Sequence, residues 1–410
     1  MRSVCARPDA RLTCRLFRCG HVQNRPRARE PCPAVVDRPA LGRCVGVFAY
    51  HVRNLGYFEG NAQTTLSAVV GSGDTGVSLF FMLSGFVLAW SDRTDGERAG
   101  PLRAALHFWY RRAARIWPLH LVAVLAAIVV GATLMPSIRT ASPAALVANV
   151  LLVNAWHAPW WQAGNPVSWS LACEAFFYLT FPFLIRPIRR AHPAVLTALA
   201  VLAAVLVLVA PVLVPHLRGS PVPASWPPAR FPEFLLGVLA AALVRSGAWR
   251  GPRLAVPVLL TVAGLLSADL HPSSGFALSG CTVVGFSLLL HALARADAEG
   301  RSTGLSSPLL VRLGTRSFAF YLVHLLTIDA VLAFRPRGAA AGAVTSALLA
   351  LLALVVAMAV ATVLHDAVEV PSRRLLLRGL RPAARPGPEA RRPDEVFRQP
   401  IRPTVARSRR

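Results

Sequence analysis

Long apolar stretches recur along this sequence, and their lengths match the hydrocarbon core of a lipid bilayer. Residues 116–135, 194–214, 313–334 and 339–364 each come close to the roughly 20 residues that a membrane-spanning helix needs. Apolar residues make up 54% of the 410 positions, whereas charged residues make up only 15%. A soluble protein of this size would need a more polar surface. The sequence therefore predicts an all-α, polytopic membrane helix bundle.

About ten transmembrane helices are predicted along the chain. A further apolar run at 143–156 is interpreted as an interfacial or re-entrant segment, because counting it as a span would upset the alternation of the loops. Tryptophans 156, 160 and 161 would hold this segment at headgroup level. The ten predicted spans are 41–58, 75–91, 116–135, 169–186, 194–214, 231–245, 253–269, 275–293, 313–334 and 339–366.

The basic residues are distributed as they are in membrane proteins. All 44 of them are arginines, the net charge is +25, and half of the arginines flank the bundle in 1–46 and 373–410. This pattern favours contact with anionic lipid headgroups and argues against a nucleic-acid partner. Alternation places four arginine-rich loops on the same side as both termini. By the positive-inside rule that side is cytoplasmic, which predicts a multi-pass protein of the cell membrane. The loops are 91–115, 186–192, 245–253 and 295–312.

The two ends of the chain differ in composition from the bundle. Five of the seven cysteines lie in the first 44 residues, among arginines and prolines, with spacings that fit no zinc site. Residues 1–44 are interpreted as a disordered leader or as a misread stretch of the gene. Residues 375–410 are rich in proline and arginine and predict a disordered cytoplasmic tail. The membrane domain then spans 45–374, and no metal site is expected.

Two histidines lie inside predicted spans. His51 lies in the first span, where a neutral imidazole can accept a proton from an alcohol. His324 lies in the ninth span, with Tyr321 one helical turn before it. The alternative for each histidine is a role in helix packing, and the sequence leaves both interpretations open.

Three arginines precede a proline at the cytoplasmic end of the third span. Arg111 and Arg115 share one helical face, Arg112 follows the first of them, and Pro118 is expected to stop or bend the helix. The guanidinium group matches the geometry of phosphate, so a phosphorylated cytosolic cofactor is a suitable ligand. The alternative is an anchor of the positive-inside type.

Glu174 lies one turn inside the fourth predicted span, where a carboxylate requires a partner. It is expected either to orient His51 or to pair with a basic residue such as Arg230. A structural ion pair is the alternative to a functional role. Glu233 and Glu369 lie at helix ends and are expected to pair with arginine.

The second predicted span contains two glycines and two serines between positions 76 and 86. Small residues let helices approach closely, which is sufficient to explain them. The functional alternative is a narrow passage beside His51, with Ser84 and nearby backbone lining it.

Taken in order, these segments resemble the membrane acyltransferase 3 family, whose polytopic enzymes move acyl groups onto extracytoplasmic polysaccharides, lipids, peptidoglycan or secreted small molecules. The resemblance covers about 45–374. The sequence departs from the family pattern at Ala40, a position about three helical turns before the histidine where family members usually carry an arginine. The segments that carry the resemblance are His51, 80–86, 111–118, 169–178, 230–237, 321–324 and 369–371.

The resemblance implies a site for each substrate. His51 would be the catalytic base and Glu174 a supporting catalytic carboxylate. The donor would be acyl-CoA, with an acetyl group as the expected acyl, and no cofactor would be permanently bound. The phosphates of acyl-CoA would contact Arg111, Arg112 and Arg115. Residues expected along the substrate channel are Ser84, Gly85, Trp169, Ser170, Tyr178 and His324.

The expected function is therefore O-acyl transfer from acyl-CoA to a hydroxyl of a carbohydrate, a lipid or a secreted metabolite, as in O-acetylation of the cell envelope. Arginine or backbone N–H groups near Ser84 and Gly85 would stabilise the oxyanion. The alternative is a proton-coupled transporter or flippase for a lipid-linked or small organic substrate, with His51, Glu174 and His324 as the proton relay. A third interpretation is an inactive structural membrane protein.

Overall fold

The protein is described by a computed structural model that covers residues 38–92, 100–140, 142–217, 222–247, 251–299, 308–334 and 342–380. Over these residues the chain forms helices joined by turns, and no β-strand occurs among them. The helices are α1 Arg38–Asn54, α2 Gly60–Val70, α3 Gly76–Ser91, α4 Pro101–Thr133, α5 Pro143–Val150, α6 Trp169–Arg190, α7 Pro193–Leu213, α8 Pro227–Ser246, α9 Ala255–Leu270, α10 Val283–Ala298, α11 Pro308–Ala333, α12 Ala343–Leu364 and α13 Val370–Leu376.

The predicted all-helical class is confirmed for the described residues, and each of the ten predicted spans overlaps a helix, although 275–293 does so only from Val283, where α10 begins. Within the described residues, seven stretches are long and apolar enough to cross a membrane. The helices α9 and α10 are shorter and apolar, and α1 has 17 residues. Ten crossings and cytoplasmic termini stay predictions. The seven stretches are Gly73–Ser91, Pro101–Thr133, Pro166–Arg190, Pro193–His216, Pro227–Ser246, Arg312–Ala333 and Ala343–Leu376.

The predicted ends of the membrane domain fall only partly within the described residues. Helix α1 begins at Arg38, inside the segment 1–44 that was interpreted as a leader, and the rest of that segment lies outside the described residues. At the other end, α13 and a short 3-10 turn extend to Leu380. The remainder of the predicted tail, 381–410, also lies outside the described residues.

Pro118 does not stop the helix that carries the three arginines, so that part of the expectation is wrong, and a bend at Pro118 stays a prediction. Helix α4 runs from Pro101 to Thr133 with Pro118 in its interior. Its 33 residues extend about 50 Å, well beyond a hydrocarbon core of about 30 Å. Proline is tolerated inside membrane helices because packing against neighbouring helices compensates for the lost backbone hydrogen bond. The three arginines therefore lie on one continuous helix.

The segment 143–156 forms the short helix α5 followed by 3-10 turns. Eight residues of helix are about 12 Å long, too short to span a bilayer. Two hydrogen bonds attach this segment to α4: Trp117 Nε1 donates to the carbonyl of Val150 at 3.1 Å, and His120 Nε2 lies 2.9 Å from the carbonyl of Asn149. The interpretation of this segment as one that does not cross the membrane agrees with its structure.

Contacts between loops bring three helix ends together. Arg189, at the end of α6, forms an ion pair with Asp92, just after α3. Arg245, at the end of α8, donates to the carbonyl of Trp90 at 3.0 Å. The ends of α3, α6 and α8 therefore lie at the same end of the bundle, as the alternation of arginine-rich loops predicts.

Helices α3 and α8 touch through their backbones at two glycines. A Cβ atom added to Gly237 would lie 1.8 Å from the carbonyl oxygen of Met82, and one added to Gly85 would lie 2.1 Å from that of Phe234. No larger side chain fits such a contact. The small residues of the second span therefore allow close helix approach, and this contact fixes α3 in the centre of the bundle.

Candidate active site

A polar cavity of about 190 Å³ lies between α3, α4, α6 and α11. Arg112 and Arg115, three residues apart on one face of α4, both line it. Arg111 does not line the cavity, and its Nε donates to the carbonyl of His107 in the same helix at 3.3 Å. Two of the three predicted arginines are thus brought together. We name this space, lined by Arg112 and Arg115, the arginine cavity.

Glu174 lies in the same cavity and is buried. Its Oε1 accepts hydrogen bonds from Ser84 Oγ at 2.9 Å and from the Tyr178 hydroxyl at 3.0 Å. The guanidinium of Arg112 lies over the Tyr178 ring, 5.9 Å from its centroid. The carboxylate is therefore held by two hydroxyl groups beside two arginines, and this network joins α3, α4 and α6.

The two partners proposed for Glu174 from the sequence lie in other networks. Arg230 pairs with Glu233 at 3.0 Å and also donates to Ser78 Oγ at 3.0 Å, and both charged side chains are buried. His51 packs against His324 on α11. The expected pairing of Glu233 with an arginine is confirmed.

Glu369 has a histidine as its partner instead of the expected arginine. His365 Nδ1 lies 2.9 Å from its Oε2. Residues His365–Glu369 form one π-helical turn, and Pro371 then lies at the start of α13. Such π-turns occur frequently at functional sites. The Glu-x-Pro segment therefore sets where α13 begins.

The position of α13 identifies a cationic residue that the sequence interpretation missed. The Tyr110 hydroxyl of α4 donates to the carbonyl of Leu376 at 2.8 Å, which packs α13 against α4. This places the charge of Arg373 within electrostatic reach of Arg112 and Arg115. The segment from Glu369 to Pro371 was the only sequence signal for the packing of α13 against α4. It did not indicate that Arg373 lies near the arginines of α4.

A second, apolar cavity of about 30 Å³ adjoins the arginine cavity. The two cavities share the lining residues Phe80, Ser317 and Phe318. Cys44 and Val47 of α1 also line the smaller cavity. His51 lies on the same face of α1, one turn beyond Val47, because the spacing is four residues.

His51 faces α11. Its ring centroid lies 5.2 Å from that of His324, with the two planes tilted by 48°. His324 is buried, and its Nδ1 lies 2.6 Å from the carbonyl of Tyr321. The structure thus brings together two histidines that are separated by most of the chain.

Residues of the Trp-Ser-Leu segment support this histidine pair from α6. The hydroxyl groups of Ser170 and Tyr321 are hydrogen bonded at 2.9 Å, and Tyr321 also stacks on Phe80 with centroids 6.1 Å apart. Trp169 packs edge to face on Phe81 at 6.3 Å. Ser170 therefore reaches the histidines through Tyr321, whereas Trp169 contributes to packing.

The residues predicted to line the substrate channel lie in different parts of the structure. Ser84 and Tyr178 line the arginine cavity, and His324 contacts His51. Gly85 faces α8 at the close helix contact. In the part of the chain that the structure describes, no group of three His, Cys, Asp or Glu side chains has the arrangement of a metal site.

The comparisons with known proteins agree with this architecture. A family model described as an acyltransferase domain matches residues 44–366. The chain is 37% identical over 384 residues to the acyltransferase MdmB of Streptomyces mycarofaciens, an alignment that covers 87% of this chain and 97% of MdmB. No solved structure is significantly similar to the chain.

Several helices of the described residues are long and apolar enough to cross a bilayer, and ionisable side chains line a cavity between them. These two features are those of an integral membrane protein with a polar site between its helices. The family match covers more than three quarters of the chain. The chain belongs to the acyltransferase 3 family and is a membrane acyltransferase.

Proposed function

We propose that this acyltransferase moves an acyl group, with acetyl as the expected one, from acyl-CoA to a hydroxyl of a carbohydrate, a lipid or a secreted metabolite. One observation carries the proposal: the cavity lined by Arg112 and Arg115 shares a wall with a smaller cavity that is lined by Val47, one helical turn before His51, and by Tyr321, one turn before His324. A phosphorylated thioester donor fits such a path, because its charged and reactive ends are far apart. The acyltransferase MdmB, similar over nearly its whole length, supports group transfer.

The donor phosphates bind in the arginine cavity. Two guanidinium groups face one carboxylate there, and that carboxylate is already held by Ser84 and Tyr178. The cavity therefore keeps a net positive charge that suits phosphate. Glu174 acts as a positioning residue that holds Arg112 and Arg115 against the cavity wall.

The thioester then reaches His51 along α11. Gly314 lines the arginine cavity, and His324 follows ten residues later on the same helix, a rise of about 15 Å. His51 takes the proton from the acceptor hydroxyl as its oxygen attacks the thioester carbonyl. The ester C–O bond forms, the C–S bond breaks, and the proton passes from His51 to the leaving thiolate to give free CoA.

Binding of CoA to the purified protein tests the donor site without any knowledge of the acceptor. We expect isothermal titration calorimetry to show saturable binding that weakens about tenfold or more in Arg112→Gln and in Arg115→Gln, because each loses a charge-assisted contact to phosphate. Arg103→Gln is the matched control, since Arg103 is an exposed arginine of the same helix outside the cavity. Equal affinity in all three variants would remove the arginine cavity from the donor site.

Turnover tests the chemistry and separates it from transport. Acetyl-CoA labelled in the acetyl group is supplied to the protein in lipid nanodiscs with a panel of hydroxylated acceptors, and both label transfer and thiol release are measured. His51→Ala should abolish both while leaving CoA binding intact. Accumulation of a substrate in vesicles, driven by a proton gradient with no acyl donor, would instead identify a transporter.

A further inference from the structure

The side chain that contacts His51 is a second histidine, and its protonation state can be inferred from its partner. His324 Nδ1 lies 2.6 Å from the backbone carbonyl of Tyr321. A carbonyl oxygen only accepts hydrogen bonds, so Nδ1 carries the proton in this pair. In the neutral ring, Nε2 is then an acceptor with a free lone pair.

Among the described residues, His324 Nε2 is buried and has no hydrogen-bond partner. Leaving such an acceptor unpaired inside a protein is costly. The ring of His51 packs against that of His324 at a centroid distance of 5.2 Å, although no hydrogen bond from it reaches Nε2 in this arrangement of the rings. A rotation of the His51 ring is needed to bring one of its N–H groups within hydrogen-bond distance of this nitrogen.

The orientation of His324 is fixed on several sides. Phe320 stacks on its ring with an interplanar angle of 12° and centroids 5.8 Å apart. Tyr321, which supplies the carbonyl that binds Nδ1, is itself held by the hydroxyl of Ser170. A ring fixed in this way can impose an orientation on its neighbour.

We propose that His324 is the positioning residue for His51. When the His51 ring turns towards it in the reacting state, His324 Nε2 accepts an N–H of His51, which leaves the lone pair of the other His51 nitrogen available to the acceptor hydroxyl. The inference rests on the proposed function, in which His51 is the base. When His51 takes the hydroxyl proton, His324 continues to accept the same hydrogen bond from the resulting imidazolium.

A neutral imidazole suits this role at membrane depth. A carboxylate would carry a full charge into a low-dielectric interior, which is costly without further partners. The carboxylate of Glu174 is engaged by Ser84 and Tyr178 at the arginine cavity instead. The histidine pair therefore performs the orienting step that a carboxylate performs in other acyl-transfer sites.

The test compares variants of His324 that keep or remove the acceptor. His324→Gln retains an acceptor oxygen without a titratable ring, whereas His324→Phe retains an aromatic ring without the acceptor. His291→Phe is the matched control, because His291 is another buried histidine whose Nδ1 lies against a backbone carbonyl, that of Ser287 at 2.8 Å. The assay is thiol release from acetyl-CoA by the full chain in nanodiscs, with water as the surrogate acceptor, beside wild type and His51→Ala.

We expect His324→Phe to lower kcat about 100-fold with KM for acetyl-CoA unchanged within about twofold, because the donor site is intact. His324→Gln should recover most of kcat, and His291→Phe should leave both constants as in wild type. Wild-type kcat in His324→Phe would overturn the inference, and so would an equal loss in a folded His324→Gln. Full turnover in His51→Ala would instead overturn the proposed function.

Discussion

Ser84 on α3 and Glu174 on α6 are joined by a hydrogen bond, with the serine Oγ 2.9 Å from the carboxylate Oε1. The Tyr178 hydroxyl donates to the same oxygen at 3.0 Å. The buried carboxylate thus has donors from its own helix and from a neighbouring one. This relationship makes Glu174 part of the same cavity wall as Arg112 and Arg115, whereas His51 packs against His324 on α11.

The first prediction concerns the coupling of Glu174 to Tyr178. Tyr178→Phe leaves the buried carboxylate with one donor fewer, which costs about 1–3 kcal/mol of the free energy of unfolding. In a Glu174→Gln background the same change should cost less, so a double-mutant cycle should give a coupling energy of about 0.5–3 kcal/mol. Chemical unfolding in detergent provides the measurement. Tyr110→Phe is the control partner and should be additive with Glu174→Gln.

The second prediction assigns the Arg230–Glu233 pair to stability. Glu233→Ala leaves a buried guanidinium without its carboxylate, and we expect the free energy of unfolding to fall by about 3–5 kcal/mol. The double variant Arg230→Met with Glu233→Leu should recover much of the loss, since it removes both charges. Unfolding curves of the wild type, Glu233→Ala and the double variant measure these differences in the free energy of unfolding. A double variant less stable than Glu233→Ala would contradict the assignment.

The third prediction concerns the contact between α3 and α8. Gly237→Ala places a methyl group 1.8 Å from the carbonyl oxygen of Met82, so the two helices must separate. We expect a loss of about 1–3 kcal/mol or more, seen as a lower thermal-unfolding midpoint. Gly379→Ala is the control, because nothing lies within 4 Å of its added Cβ. Equal midpoints for the two variants would show that the helices do not touch here.

The fourth prediction tests whether Arg373 adds to the donor site. Arg373 lies within electrostatic reach of Arg112 and Arg115, and clustered like charges favour an anionic ligand. Arg373→Gln should weaken CoA binding about threefold to tenfold. Arg374→Gln, at the next residue, should change it less than twofold, because Arg374 has no recorded interaction with Arg112 or Arg115. Calorimetric titration with CoA, and with pantetheine as the phosphate-free ligand, measures both. An equal effect of Arg373→Gln on pantetheine would argue against a phosphate contact.

Much of the architecture could be predicted from the sequence, because lipid restricts what a spanning segment can be. All ten predicted spans overlap helices, because only a closed hydrogen-bonded backbone is stable in hydrocarbon, but α10 begins at Val283, eight residues after the predicted start of its span. The start of α4 was missed by fifteen residues because its first turns are polar and lie beyond the apolar stretch. Pro118 was expected to stop or bend the helix, yet α4 continues through it, because packing against neighbouring helices compensates for the missing hydrogen bond.

The sequence by itself also determined which residues deserved a functional interpretation, since charged and imidazole side chains are rare inside apolar helices. Their pairing was decided only by the tertiary structure. Glu174 is hydrogen bonded to Ser84, and the ring of His51 packs against that of His324. Helical periodicity defines the faces of one helix, but the rotation and register between helices depend on how all of them pack, including the glycine contact of α3 with α8. That packing is a property of the whole bundle.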